Sequence, residues 1–278
     1  METRRSWARR AGVLFVLVWT IIPLYWAVNI SLQTNVQGSA KPSNYLPPTP
    51  SLSNYIALLL GSGETAQAMR QGFVNSILEC LCATLLTTVL ATLAAYAFAR
   101  MRFRGRTVLF YAVLATLALP AYTTLIPVYQ LMSAVGLVNT YVGIILVYCS
   151  GFLPLATWIL HNYMTALPIS IEEACEADGA TRMQVLWFVV LPLARPGIAS
   201  TALITFLFGW GQFLFPLILS TDASTAPLTV VIAALQGRHS FPFTMMSAAG
   251  VVAVLLPALI ALVANKYIVN GMLAGSVK

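Results

Sequence analysis

The residues best equipped for chemistry lie in the stretch 167–197, LPISIEEACEADGATRMQVLWFVVLPLARPG. Ser170 followed by Glu173 has the spacing of a capping box, in which hydroxyl and carboxylate satisfy backbone donors at a helix start. Glu172 and Glu173 suit the positive end of such a helix. Gly179 is placed to end it in a left-handed turn. Thr181 and Gln184 repeat the capping spacing, which predicts a second helix over about 182–190, broken at Pro192. The segment therefore reads as helix, glycine turn, helix. Its first helix offers Ala174, Cys175 and Ala177, whose small side chains let a helix sit deep in a groove. A helix of about eight residues is not stable alone in water and needs a surface to pack on. Two uses fit: an amphipathic connector on a membrane, or a docking helix for a partner.

The groups that catalysis would need are missing. No GxxxxGK[ST] phosphate loop occurs, and Lys41, Lys266 and Lys278 lie outside any glycine-rich turn. There is no HExxH and no GxSxG, and the two histidines, His161 and His239, are far apart in sequence. Neither a metal site nor a catalytic group follows, so energetic work must draw on another subunit. The cysteines Cys80, Cys82, Cys149 and Cys175 form no CxxC and read as small apolar residues. Glu79 stands within an apolar run, where an acid is ordinarily a functional candidate. Near the outer end of that run a solvated carboxylate fits equally, and Glu79 receives no role.

The elements that must position these residues follow from composition. Of 278 residues, 59% are hydrophobic and 8% charged, with mean hydropathy +0.83. A soluble domain carries roughly 25% charged residues, so there is too little charge here to cover a water-facing surface. The fold class is an all-α integral membrane protein. Disorder, a disulfide scaffold and a single-helix anchor are excluded, because the apolar excess runs along the whole chain. The net charge of +7 reads as topology signalling in a lipid bilayer, with no nucleic-acid partner. Spans of about 20 apolar residues are expected at 11–32, 73–99, 108–131, 140–162, 197–220 and 246–267. The stretch 107–171 holds no Asp, Glu, Lys or Arg, and GLVNT at 136–140 supplies a turn within it. The first core is longer than that of a signal peptide and reads as a retained helix.

Six spans put both termini on one side. If that side is the cytoplasm, Arg4, Arg5, Arg9, Arg10, Arg100, Arg102, Arg104, Arg106, Arg182, Arg195, Lys266 and Lys278 are inside, against Lys41, Arg70 and Arg238 outside. That bias is what the positive-inside rule predicts. Pro120 and Pro127, Pro154, Pro216 and Pro257 fall inside the third to sixth spans. The carbonyls they free must be met by neighbours or water. Five such prolines predict helices bent around a pathway.

Glu173-Ala174-Cys175, three residues, Gly179, nine residues, then Val189-x-Leu191-Pro192 resembles the EAA motif of ABC importer permeases. Cys175 stands for the second alanine and Val189 for an isoleucine. Residues 47–58 (PPTPSLSNYIAL), Asn75-Ser76, 94–100 (AAYAFAR), 120–140 and 271–278 (GMLAGSVK) are similar, in order, to the MalG-like permease subunits of the carbohydrate branch. The resemblance covers nearly the whole chain. It implies a single permease domain over 1–278 with the type I ABC importer permease fold and a cytoplasmic coupling segment at about 168–192. It implies a multi-pass protein of the cytoplasmic (inner) membrane that partners a second homologous permease, two ABC ATPase subunits and an extracytoplasmic sugar-binding protein. Catalysis and cofactors are then absent from this chain, ATP and Mg being bound by the partner ATPase.

By position in the motif, the ATPase-docking residues are Glu173, Ala174, Cys175, Gly179, Leu191 and Pro192, with Glu173 paired to a basic group. The resemblance also brings the tail 275–278 within reach of the ATPase pair. For cargo, relatives often carry Trp-Asn and then an acid where this chain has Trp210, Gly211 and Gln212. An aromatic face beside an amide still suits a sugar, so Trp210 and Gln212 are pathway candidates, with Tyr122, Gln130 and Asn75. No charged cluster lies in the spans, which favours a neutral sugar over a phosphate ester; glycerol 3-phosphate or another polyol-type solute is the alternative cargo. A self-contained secondary carrier is the alternative of another class; it would need an internal repeat and an ion-coupling carboxylate.

Overall fold

A backbone in hydrocarbon must satisfy its own polar groups, and the apolar runs of this chain do so as helices. In the computed structural model, which describes residues 2–41, 43–236 and 242–274, the α-helices are α1 (Glu2–Ser31), α2 (Asn35–Gly38), α3 (Ser53–Leu59), α4 (Glu64–Arg100), α5 (Arg106–Ala115), α6 (Ala121–Ala134), α7 (Tyr141–Thr165), α8 (Ile169–Ala177), α9 (Arg182–Val185), α10 (Leu191–Trp210), α11 (Leu214–Leu219), α12 (Leu228–Gln236) and α13 (Phe243–Ala274). Arg238, His239, Lys278 and the tail 275–278 lie outside the described residues.

Among the described residues, five helical stretches are long and apolar enough to cross a membrane: Arg9–Ser31, Glu64–Arg100, Tyr141–Thr165, Arg182–Trp210 and Phe243–Val263. A sixth exists if Arg106–Ala118 and Ala121–Ala134 count as one span, but these meet at 103°. The third span, expected as one helix over 108–131, is therefore broken. Pro120 has no N–H to continue a helix and forces its predecessor extended: Leu119 sits at φ −73, ψ 121. The hydroxyls of Thr116, Thr123 and Thr124 donate to the carbonyls of Val113, Pro120 and Ala121, satisfying groups around the break. Pro127, by contrast, is carried inside α6.

The fifth span, expected over 197–220, also differs. Its helix starts at Arg182 and ends at Trp210, and Pro216 belongs to the short α11. No break occurs at Pro192. The residues Leu186–Val190 form a π turn, in which the Leu191 N–H donates to the Leu186 carbonyl. Pro192 cannot donate, and the chain widens by one residue just before it instead of stopping.

By packing, the chain divides into two compact units, residues 1–70 with 231–256, and residues 71–230 with 257–278. In the first, the expected external loop is pinned by side-chain amides. Asn54 donates to the carbonyls of Ser31 and Gln33, both at 2.9 Å, and Asn29 donates to that of Asn44 at 2.9 Å. Arg70 donates to the carbonyls of Leu59 and Gly61.

The second unit holds a core of Ala91, Ala95 and Tyr96 from α4, Ala156, Leu160 and Met164 from α7, and Val185, Leu186, Val190 and Ala194 from the 182–210 helix. Gly197 lets α10 press against α7. A Cβ there would lie 2.5–2.8 Å from three ring carbons of Tyr163, which no relaxed contact allows.

Candidate coupling segment and pathway residues

Pro168 caps α8 with φ −61, ψ 118 and makes no side-chain capping bond. The expected Ser170–Glu173 capping box is therefore absent. The fixed φ of Pro168 starts the helix at Ile169, and Ser170 falls inside it. This register puts Glu172, not Glu173, on the inner face. Glu172 is buried, and Cys175 one turn on packs with Ala180 against the core of the second unit. Glu173, Ala174 and Ala177 remain exposed. Cys175, expected on the open face with the alanines, is half turned inward.

The far end of α8 forms as its residues predict. Gly179 adopts φ +92. The Ala180 N–H reaches back to the Cys175 carbonyl and the Gly179 N–H to that of Glu176, both at 3.0 Å, the pattern of a Schellman closure. Thr181 and Gln184 then form a capping box, with the Thr181 N–H donating to Gln184 Oε1 at 2.8 Å and the Gln184 N–H to Thr181 Oγ1 at 3.4 Å. Leu191 and Pro192 are half-buried, and Leu191 packs on the core behind α8. A groove of about 440 Å³ opens between α8 and the 182–190 turns, lined by Cys175, Asp178, Gly179, Ala180, Gln184, Val185, Phe188 and Val189.

The polar anchor of the segment is Arg100, the last residue of α4. Its Nε donates to Glu172 Oε1 at 2.6 Å, with each side chain only 10% exposed, and Nη2 donates to the Leu167 carbonyl at 3.0 Å. Sequence reasoning counted Arg100 among topology-setting charges and Glu172 as a dipole partner. The two are 72 residues apart, and no local spacing links them. The Glu176–Arg182 pair is exposed and loose at 3.6 Å, and contributes little.

The pathway candidates separate. Trp210 is 6% exposed, edge-on to Phe73 with ring centroids 5.7 Å apart and stacked near Phe206. Gln212 is half-buried just past the helix end, and its carbonyl accepts from Thr229 Oγ1 at 2.6 Å. Tyr122 and Gln130 are exposed on α6. Asn75 is fully buried with its amide entirely engaged. Nδ2 donates to the carbonyls of Ser224 (3.0 Å) and Ala226 (2.9 Å), while Oδ1 accepts from Tyr141 Oη (2.8 Å) and Gln71 Nε2 (2.9 Å). With its amide fully engaged, Asn75 is a clamp between α4 and the 224–226 backbone. Ser76 extends the clamp by accepting from the Leu228 N–H, and Asn139, at φ +57 in the GLVNT turn, accepts from the Thr221 N–H at 2.6 Å. In the clamped loop, the hydroxyl and backbone N–H of Ser224 hold the Asp222 carboxyl below the ordinary carboxylate range. Glu79 is not solvated: it is 0% exposed, and neither carboxyl oxygen has a hydrogen-bond partner among the described residues.

A short glycine-closed helix on a multi-span helical chain is matched by likeness to known proteins. Residues 87–273 fit the family model described as the binding-protein-dependent transport system inner membrane component, and that range includes the whole coupling segment. The chain belongs to this family. The permease is 31% identical over 263 residues to the sulfoquinovosyl glycerol transport system permease protein SmoH of Agrobacterium fabrum, covering 95% of this chain and 90% of that one. It is 31% identical over 268 residues to the trehalose/maltose transport system permease protein MalG of Thermococcus litoralis, covering 96% and 95%. In fold it resembles a chain of the crystal structure of a bacterial ABC transporter involved in the import of the acidic polysaccharide alginate, with TM-score 0.77 over 92% of this chain and 95% of that one at 22% identity. The expected all-α importer permease fold is therefore the one found, and the permease is a multi-pass transport subunit of the inner membrane.

Proposed function

We propose that the permease forms half of the translocation pathway of an ATP-driven sugar importer and couples to separate ATPases through α8. It pairs with a second homologous permease, two ABC ATPase subunits bind on the cytoplasmic side, and an extracytoplasmic sugar-binding protein delivers the cargo. Both termini face the cytoplasm, which agrees with the distribution of arginines. ATP and Mg are held by the ATPases, and this chain contributes no catalytic group and no cofactor.

One observation carries the reading. α8 is nine residues long, too short to stand alone, and is fastened from behind through Glu172 and Cys175, leaving Glu173, Ala174 and Ala177 outward. Two small side chains beside one acid suit a partner groove with a basic group in it. Closure of the ATPase pair then displaces the docked helix, and alternating access follows from the difference in docking free energy between the two states. Gly179 sets the angle at which α8 leaves the long helix, and Leu191 with Pro192 supports it from behind.

A sugar cargo is supported by the permeases of the trehalose/maltose and sulfoquinovosyl glycerol systems. The lack of any Asp, Glu, Lys or Arg between 107 and 171 favours a neutral sugar over glycerol 3-phosphate. Tyr122 and Gln130 are the candidates open to cargo, and Gln212 is half-open; Trp210 packs inside the subunit in this conformation.

The test is affinity purification of the tagged chain from native membranes in mild detergent, followed by mass spectrometry. An ABC ATPase and a second six-span permease are expected, with ATPase recovery lowered by Glu173→Ala and by Gly179→Pro. A wild-type chain that purifies alone and still transports in liposomes would be a secondary carrier, and the docking argument would fall.

A further inference from the structure

We propose that the Arg100–Glu172 ion pair is the relay that carries a displacement of α8 into α4, and through α4 to the loop clamped at Asn75 and Ser76. The inference rests on the docking of an ATPase at α8 and names the contact inside this chain through which that docking acts. Arg100 is thus a positioning residue for coupling.

α8 is joined at both ends to long helices, to α7 through residues 166–168 and to the 182–210 helix through the Gly179 turn. Its polar tie to a third helix, α4, is made at its N-terminal end by Arg100. Arg100 grips it twice, at the Leu167 carbonyl just before the helix and at Glu172 in its first turn. A planar guanidinium serves two acceptors in fixed directions, which an ammonium does not reproduce. Both charges also sit where helix dipoles favour them, Arg100 at the C-terminal end of α4 and Glu172 near the N-terminal end of α8. The pair is shielded from water, so its attraction is screened little by salt, and removal of one partner strands a buried charge. The basic run that follows is not equivalent: Arg106 turns back to the Met101 carbonyl.

What Arg100 is attached to gives the pair its reach. α4 is an unbroken helix of 37 residues with no proline inside. From Arg100 back to Asn75 it rises about 37 Å, more than the hydrocarbon thickness of a bilayer. There Asn75 and Ser76 hold the 224–228 backbone. One stiff element thus has the docking helix fixed at its C-terminal end and the 224–228 loop fixed at Asn75 and Ser76, about 37 Å along it.

The test uses the assembled importer in detergent, with hydrogen–deuterium exchange of this chain read with and without Mg-ATP and vanadate. No cargo is required. In wild type, exchange is expected to change both in α8 and in residues 219–228. In Arg100→Gln and Glu172→Gln the ATPase still co-purifies and α8 still responds, while the response of 219–228 shrinks roughly threefold or more, the scale by which network residues modulate coupling. Arg100→Lys keeps the charge with one grip and falls between. A 219–228 response unchanged in both neutral variants overturns the relay, as does a wild-type complex in which α8 responds and 219–228 does not. Should the neutral variants fail to assemble, a full wild-type response in Arg100→Lys overturns the need for two grips. A wild-type chain with no ATPase attached overturns the docking reading instead, so the two failures are distinguishable.

Discussion

Replacing Asn75 separates a clamp from a cargo contact. The side chain is fully buried, and four hydrogen bonds meet at its amide. Asn75→Ala removes both donors. The Ser224 carbonyl lies in an exposed stretch and can turn to water, so its loss costs about 0.5–1.5 kcal/mol, the net worth of one bond. The Ala226 carbonyl lies in a buried stretch and stays dry, which adds a desolvation cost of about 1–3 kcal/mol. The expected total is about 1.5–4.5 kcal/mol. Asn75→Asp is at least as costly, because it points a carboxylate oxygen at two carbonyls. Tyr141→Phe removes a hydroxyl shared between Asn75 Oδ1 and the Ser224 carbonyl and should cost about 1 kcal/mol. On top of Asn75→Ala it should still cost a bond, because the hydroxyl keeps the Ser224 carbonyl at 3.1 Å as an acceptor. The assay is equilibrium unfolding in mixed micelles with increasing dodecyl sulfate, followed by far-UV circular dichroism. The reasoning is refuted if Asn75→Ala unfolds within about 0.5 kcal/mol of wild type, the scatter of an ordinary surface change.

Two further outcomes use the same unfolding assay. Gly197→Ala drives a methyl into the Tyr163 ring, whereas a Cβ at Gly151 meets nothing within 4 Å. Both substitutions gain about 1 kcal/mol of helix propensity, so Gly197→Ala should be the less stable by the overpacking cost of about 1–3 kcal/mol; equal stabilities would contradict the close approach of α10 to α7. Glu79→Met keeps the bulk and removes two buried oxygens that lack partners among the described residues. Such a change is neutral or stabilising, and a loss above about 1 kcal/mol would mean that the carboxyl is satisfied after all.

Much of the coupling segment was legible because its signals are local. Gly179 and the Thr181–Gln184 box act within one turn of backbone, and both appear where their spacing puts them. The Ser170–Glu173 box has equally good spacing and does not form, because Pro168 claims the cap two residues earlier. Local rules compete, and a fixed φ outranks a hydroxyl that has other uses. The prolines divide in the same way. Pro120 breaks its span and Pro192 does not, since the turn before Pro192 widens to absorb the missing donor and the core on Val185, Leu186 and Val190 holds it there.

The apolar composition and charge placement were enough to establish a helical membrane chain, since a bilayer allows a single-chain apolar sequence few other solutions. The EAA-like spacing was enough to mark the coupling segment, since it is written in consecutive residues. The assignment of individual side chains was a matter for the tertiary structure. Adjacent Glu172 and Glu173 are chemically identical, and the register set at Pro168 with the approach of Arg100 turns one inward and leaves the other exposed. Asn75 reads as a polar residue in a span until two carbonyls about 150 positions away use up its amide. Hydrogen-bonding capacity is finite, and which distant groups consume it depends on how the helices meet.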